Sequence, residues 1–406
     1  MRCRHCQTEL EHTFIDLGFA PPSNAYLTAE QLKQPEVYFP LKVKVCEQCW
    51  LVQTEDYAPA NELFNADYAY FSSTSSGWLT HAQKYSQAII QRLNLGQNSH
   101  VIEIASNDGY LLKNFVTKGI PCLGIEPTAS TAAAAEKLGV PVLREFFGET
   151  LALQLAKKNQ QADLIIGNNV YAHVPDINDF TLGLKAALRP NGTITLEFPH
   201  LMQLIQQVQF DTIYHEHFSY LSLFTASQIF ASAGLRIWDV ETLPTHGGSL
   251  RIYGCHTQDK RKDSEAVNKM LALEVQNELQ TLATYKQFQQ RADKVKNDLL
   301  DFLLQQKRQG KSVVAYGAAA KGNTLLNYAG IKPDLLPFVC DAALAKQGKF
   351  MPGSHIPILA PDVLYETSAD YVLILPWNIK SEVKNQLVRL TQTTFVTAIP
   401  NLDMIK

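Results

Sequence analysis

Val101-Ile102-Glu103-Ile104-Ala105-Ser106-Asn107-Asp108-Gly109-Tyr110, followed at once by Leu111 and Leu112, is the stretch that decides the fold. A short apolar run that carries an acid, turns through small and polar residues and restarts with helical spacing reads as strand, loop and helix N-terminus. Lys118-Gly119 closes the helix, Cys122-Leu123-Gly124-Ile125 is a second buried strand, and Glu126 stands at its carboxyl end before Pro127. An acid in that place accepts both hydroxyls of a ribose, while the first loop brings backbone N–H groups to the ligand. The unit therefore holds a nucleoside.

The loop is not G-x-G-x-x-G, because Ala105 and Asn107 stand where a dinucleotide fold wants glycines. It is closer to the acid-x-G-x-G-x-G loop of class I methyltransferases, with only Gly109 of the three glycines kept. S-adenosyl-L-methionine is expected here ahead of a nicotinamide or flavin cofactor. Its contacts are expected from Glu103, Ala105, Asn107, Gly109 and Glu126, from Phe146 beyond the third strand, and from Asn168 and Asn169 after the fourth.

A chain of 406 residues predicts two or three domains, each able to bury a core. With 36 basic and 39 acidic residues the net charge is -3, which implies no polyanion partner. No apolar h-region follows Met1 and no apolar run is long enough to span a bilayer, so a soluble cytoplasmic protein without membrane partners is expected. Oligomeric state is not legible. Four of the seven cysteines form two C-x-x-C pairs, Cys3/Cys6 and Cys46/Cys49. Each pair places two thiolates at adjacent corners of a tetrahedron, and four sulfurs leave no open position, so a structural zinc ion is expected. The lobe around it is too small for much core of its own and uses the metal as a staple.

The βαβ alternation continues. Strands are expected within 140–147, over 163–167 and over 193–198, and two more strands and a helix beyond them suit a mainly parallel seven-stranded sheet with one reversed strand. Ligands bind outside the carboxyl ends of such strands, which brings Asn168 to His173 to the crevice of Glu103 and Glu126. The fold class is α/β: a class I methyltransferase Rossmann-like sheet (67–258) flanked by an N-terminal four-cysteine zinc lobe (1–66), a helical connector (259–310) and a second Rossmann-like domain (311–406).

Tyr214-His215-Glu216-His217 packs two imidazoles, a carboxylate and a phenol into four positions. Extended, Tyr214 and Glu216 share one face; helical, Tyr214 and His217 share a side. Acid–base machinery, a metal site short of a third ligand, and histidines that merely hold a loop all suit this pattern. In Thr245-His246-Gly247-Gly248-Ser249-Leu250-Arg251, Arg251 could clamp a phosphate or sugar oxygen, or the glycines could simply turn a hairpin. Gly317 to Thr324 reads as a small-residue loop before a helix from Leu325. There Lys321 and Asn323 offer a phosphate cradle for substrate, or the loop only packs.

Taken together, the four-cysteine lobe, E-x-A-S-N-D-G from Glu103, N-N-V-x-A-H from Asn168, Y-H-E-H-F-S-Y from Tyr214, G-G-S-L-R from Gly247 and Y-G-A-x-A-K-G from Tyr316 are specific because they occur in one chain in this order. Over essentially its whole length the chain resembles the nucleotide-sugar C-methyltransferases, which make branched deoxysugars from NDP-4-keto-hexoses. The resemblance implies an active site of Tyr68, His173, Tyr214, Glu216 and His217, with His217 the favoured base. It also implies that the nucleotide diphosphate of an NDP-sugar lies largely against the C-terminal domain.

The chemistry agrees with those residue types. Methylating carbon needs a carbanion, and a hydrogen beside a ketone is one that a mild base removes if a donor meets the enolate oxygen. His217 would take the C3 proton, and Tyr214, Tyr68 or His173 would donate to the C4 oxygen. Two other classes remain: methylation of another small molecule or of nucleic acid, and a non-catalytic nucleotide-sugar-binding protein. A nucleic-acid enzyme would want a basic face, which this charge does not supply.

Overall fold

The computed structural model describes residues 1–55, 57 and 71–405, the side chain of Ser76 excepted. Tyr68, one of the expected site residues, lies outside them. Three sheets organise the described chain.

The first is an antiparallel meander of β1 (His12–Ala20), β2 (Phe39–Val45) and β3 (Val52–Thr54). Its fourth strand, β9 (Ser219–Tyr220), comes from far downstream and pairs with β3, Val52 opposite Tyr220. The lobe's apolar residues do have a core, but a borrowed one. Phe14, Ile15, Leu41 and Val43 are buried in one cluster with Phe288 and Leu299 of the connector and with Val313, Leu325 and Leu373 of the C-terminal domain. Phe14 stacks on Phe288 with ring centroids 4.4 Å apart.

Helix α1 (Ser76–Leu93), capped by the Ser75 side chain, leads into the central sheet. Its strands are β4 (Val101–Ile104), β5 (Cys122–Ile125), β6 (Val142–Leu143), β7 (Ala162–Asn168), β8 (Leu188–Pro199), β10 (Leu235–Leu243) and β11 (Ser249–His256). The order is β10-β11-β8-β7-β4-β5-β6, with β11 antiparallel to both neighbours and the rest of the interior parallel. This is the expected seven-stranded sheet with one reversed strand. Val101, Ile102 and Ile104, like Leu164, Ile165 and Ile166, are buried in unbroken runs because helices cover both faces of a parallel sheet.

The loop after β4 resolves the missing glycines. Ala105, Asn107 and Gly109 have φ of +54°, +51° and +76°, so three alternate residues take left-handed conformations although only one is glycine. At Gly109 an added Cβ would also stand 3.0 Å from the Ala135 side chain. A β-branched side chain does not tolerate this backbone, so Ala105→Val should cost about 2 kcal/mol of stability whereas Ala105→Gly should be tolerated. Thermal unfolding of the two variants checks this.

Between the central sheet and the C-terminal domain run α2 (Glu265–Gln276) and α3 (Phe288–Arg308). Glu274 of α2 is fully buried. Its carboxylate accepts from the amides of Leu223 (2.6 Å) and Phe224 (2.9 Å), which open the helix Leu223–Ser232, and pairs with His200 Nε2 at 2.7 Å. The connector thus caps a helix of the central domain. No helix of the described residues is long and apolar enough to cross a membrane.

The third sheet consists of β12 (Val313–Tyr316), β13 (Val339–Cys340), β14 (Ile358–Leu359), β15 (Tyr371–Ile374), β16 (Thr394–Thr397) and the antiparallel edge β17 (Asp403–Ile405), in the order β14-β13-β12-β15-β16-β17. Helix α4 (Ala320–Ala329) begins five residues before the expected Leu325. The alanines before Lys321 favour helix, and the Asn323 amide closes the first turn on the Ala319 carbonyl. Lys321 and Asn323 therefore sit in a helical turn and not in a loop.

Candidate active site

The carboxyl ends of β4, β5, β7 and β8 form one rim. On the β4–β5 side, Glu126 accepts from the Asn107 amide with one oxygen and from the Thr128 amide with the other, both at 2.9 Å, and so pins the left-handed loop to the strand end. The Asn107 and Asp108 side chains accept from the amides of Ser72 (2.9 Å) and Ser73 (3.0 Å), which lays the serine-rich segment before α1 against this loop. Burial, and then the charges of Glu126 and Asp108, push the Glu103 carboxyl well above the usual range.

Several buried polar atoms here have no hydrogen-bond partner: Glu103 Oε2, Asp108 Oδ1, and both the oxygen and the nitrogen of Asn168. Such atoms cost about 1–3 kcal/mol each when left unmet. Donors and acceptors of this kind, gathered at strand ends, suit a nucleoside. Phe146, in the segment after β6, leaves 61% of its surface exposed, an apolar face free to cover a purine.

Across the rim, residues 210–217 make a tight turn in which the His217 amide bonds the Tyr214 carbonyl at 2.9 Å. The sequence pattern suggested a strand or a helix; a single i to i+3 turn achieves the helical outcome, with Tyr214 and His217 rings 4.0 Å apart. His173 joins them, its ring 4.6 Å from that of His217. His217 Nδ1 lies 2.7 Å from the Thr212 carbonyl, which only accepts. Nδ1 therefore carries the proton and Nε2 the lone pair. Burial, reinforced by His173, holds the His217 imidazole well below the usual histidine pKa, and burial lowers His173 to about 4.

The other two residues of the turn face the N-terminal lobe. His215 Nε2 is 3.2 Å from the Pro40 carbonyl with Phe39 against its ring, so it holds the lobe. Glu216 is buried, accepts from Asn24 Nδ2 at 3.1 Å and keeps its second oxygen without a partner; burial raises its carboxyl pKa.

Two residues that the sequence reading did not single out stand beside this group. His246, at φ +55°, sits with Nε2 3.0 Å from Asn169 Nδ2 and edge-on to Trp78, and burial together with the Lys321 charge lowers it to about 4. Asp211, fully buried, accepts from Trp377 Nε1 at 2.8 Å. Burial lifts its carboxyl to about 6 against the pull of Lys321. The sequence signal for Asp211 was the only acid between Glu197 and Glu216; for His246 it was a bulky residue directly before paired glycines.

Three expected substrate contacts behave differently. Arg251 does not offer its guanidinium to a ligand: it is buried, 3.0 Å from Glu197 and 3.1 Å from Glu241, and lies over the Tyr85 ring. Asn323 turns from the rim and donates to the Ser23 carbonyl at 2.6 Å, tying α4 to the N-terminal lobe. The cradle itself is part-filled, since Asp341 accepts from the Ala318 amide at 2.7 Å. Lys321 leaves the cradle too, bonded to Asn378 Oδ1 at 2.7 Å and lying over the Trp377 ring.

The sulfurs of Cys3, Cys6, Cys46 and Cys49 lie within 4.8 Å of one another, Cys3 to Cys49 at 3.6 Å and Cys6 to Cys46 at 3.5 Å. A zinc tetrathiolate with bonds of about 2.3 Å has sulfur–sulfur edges of about 3.8 Å, so the cluster fits that ion. Gln53 Nε2 supports it at 3.3 Å from Cys3 Sγ. The same strand reaches the turn of residues 210–217, where Thr54 Oγ1 donates to the His217 carbonyl at 3.2 Å.

Comparison with known proteins follows the same division. Family models match residues 3–64 (a domain proposed to bind zinc), 78–240 (a methyltransferase domain) and 244–400 (a C-methyltransferase C-terminal domain). The chain is 33% identical over 381 residues to C-methyltransferase NovU of Streptomyces niveus, covering 94% of this chain and 90% of that protein. The chain belongs to the C-methyltransferase family. This C-methyltransferase is SAM-dependent. Among solved structures it is similar to a SAM-dependent methyltransferase from Clostridium acetobutylicum (TM-score 0.36, 12% identity, 48% of this chain and 95% of that one). It is also similar to the magnesium protoporphyrin IX methyltransferase of Synechocystis with bound SAH (TM-score 0.36, 13% identity, 44% and 84%).

Proposed function

We propose that this C-methyltransferase adds a methyl group to the carbon beside the ketone of an NDP-4-keto-hexose, with His217 as the base and zinc as the structural ion of the four cysteines. The observation that carries the reading is the 2.7 Å bond from His217 Nδ1 to the Thr212 carbonyl, which leaves a neutral imidazole with its Nε2 lone pair fixed in place. A carbon acid next to a carbonyl is the substrate such a base suits. Bound SAM would supply an electrophilic methyl group. Glu103, Glu126, Asn168 and the left-handed loop would hold it, with Phe146 over its purine.

Tyr214 and His173 flank the base and would confine the sugar ring, while the unmet oxygen of Glu216 is free for a sugar hydroxyl. The second Rossmann-like domain meets this turn through Trp377 and Asp211, a suitable wall for the nucleotide. Incubation with SAM and a thymidine-diphosphate 4-keto-6-deoxyhexose should give a product heavier by one CH2, with one SAH formed per turnover. The corresponding sugar nucleotide without the ketone should be returned unchanged. Equal methylation of both would remove the enolate mechanism.

A further inference from the structure

Lys321, Asp211, Trp377 and Asn378 form a largely enclosed polar group where the C-terminal domain meets the turn of residues 210–217, and the reading above gives the Lys321 charge no part in the chemistry. Asp211 and Thr212 are adjacent: the first is bonded to Trp377, and the carbonyl of the second orients His217. The Lys321 ammonium lies 5.0 Å over the Trp377 ring and donates to Asn378. Trp377 in turn packs so closely on Gly247 (φ +87°), next to His246, that a Cβ there would meet its ring at 2.5 Å. The amine is thus held between Asn378 and the Trp377 ring, and its side chain keeps partial access to solvent, as do those of His246, His173 and Tyr214. Its charge bears on both His246 and His217.

We infer that Lys321 is the cation that receives the enolate oxygen of the substrate, opposite the base, and is not a phosphate ligand. The inference rests on the keto-sugar reading above. In the step assigned, the C3–H bond breaks and its proton goes to His217 Nε2. The bonding pair becomes the C3–C4 double bond, and the carbonyl pair moves onto O4, which takes a hydrogen bond from the ammonium. No redox partner is needed. A preformed cation in a water-poor site is worth most where charge develops during the reaction. Buried Asp211 is the counter-charge that keeps the lysine protonated. An acid bonded first to Trp377 leaves the ammonium free for substrate.

A phosphate ligand and an enolate receptor differ in what their loss does. Lys321→Met in the full-length enzyme should slow exchange of the C3 hydrogen with deuterated buffer by about 10²–10³-fold, measured with the thymidine-diphosphate 4-keto-6-deoxyhexose saturating and without methyl donor. Affinity for that sugar nucleotide should be unchanged by calorimetry. Unchanged exchange at saturation, or weakened nucleotide binding with exchange intact, overturns the role of Lys321.

Should Lys321→Met fail to bind SAM and so prove misfolded, Asp211→Asn provides the second reading. Removing the counter-charge should move the alkaline limb of the exchange rate to lower pH, and an unmoved limb overturns the proposal. Wild-type enzyme that neither exchanges nor methylates this sugar would instead remove the substrate reading itself.

Discussion

Replacing His217 by asparagine should reduce methyl transfer, and proton exchange at the substrate carbon, by about 10²–10⁴-fold, the usual contribution of a positioned general base. Asparagine is the informative substitution because its amide still offers a donor to the Thr212 carbonyl, so the turn keeps its shape while the lone pair at Nε2 is lost. SAM affinity should not change, since the loop after β4 and the Asn168 side chain lie across the rim. Rates near normal would place the base elsewhere. The wild-type profile makes a matching statement about pH. A histidine held well below its ordinary pKa stays neutral and competent as pH falls past 6.5, so the acid limb of kcat/KM should lie well below that value. A limb centred at 6.5 or above would contradict a buried neutral base.

The second large effect is expected at the four cysteines. Cys49→Ser, or stripping the metal with a chelator, should release one zinc equivalent and remove much of the roughly 10 kcal/mol that a structural zinc contributes. Thermal unfolding and metal analysis read this directly. The loss should extend to chemistry. The Cys46 to Cys49 turn joins β2 to β3, β3 pairs with β9, and Thr54 of β3 holds the carbonyl of His217. Proton exchange should therefore fall more than SAM binding does. A metal-free enzyme of unchanged melting temperature and exchange rate would show the four thiols to be incidental.

What the sequence made legible follows from what kind of signal each feature leaves. The central strands were readable because two-sided burial demands unbroken apolar runs, as at Val101 to Ile104 and Leu164 to Ile166. The cysteine pairs were readable because metal ligation constrains spacing within a turn. The loop after β4 was readable as a loop but not in shape, since Ala105 adopts left-handed backbone that an alanine rarely takes. Arg251 was misleading for a physical reason: a cation in a strand looks available until its acids, Glu197 and Glu241, are brought to it by pairing across three strands. Asn323 and Lys321, two residues apart, part company because a helix turns them to different sides, one to Ser23 and the other to Asn378. His246 and Asp211 needed the assembled turn to acquire meaning.

Phe14 stacked on Phe288, with β1 sharing its apolar interior with α3 and the C-terminal sheet, bears on how such enzymes can be recombined. A chimera that exchanged only the last hundred residues would leave two halves of a split interior mismatched. The exchangeable cassette is discontinuous: the first strands of the chain travel with its final third, and the methyl-donor module is an insert between them.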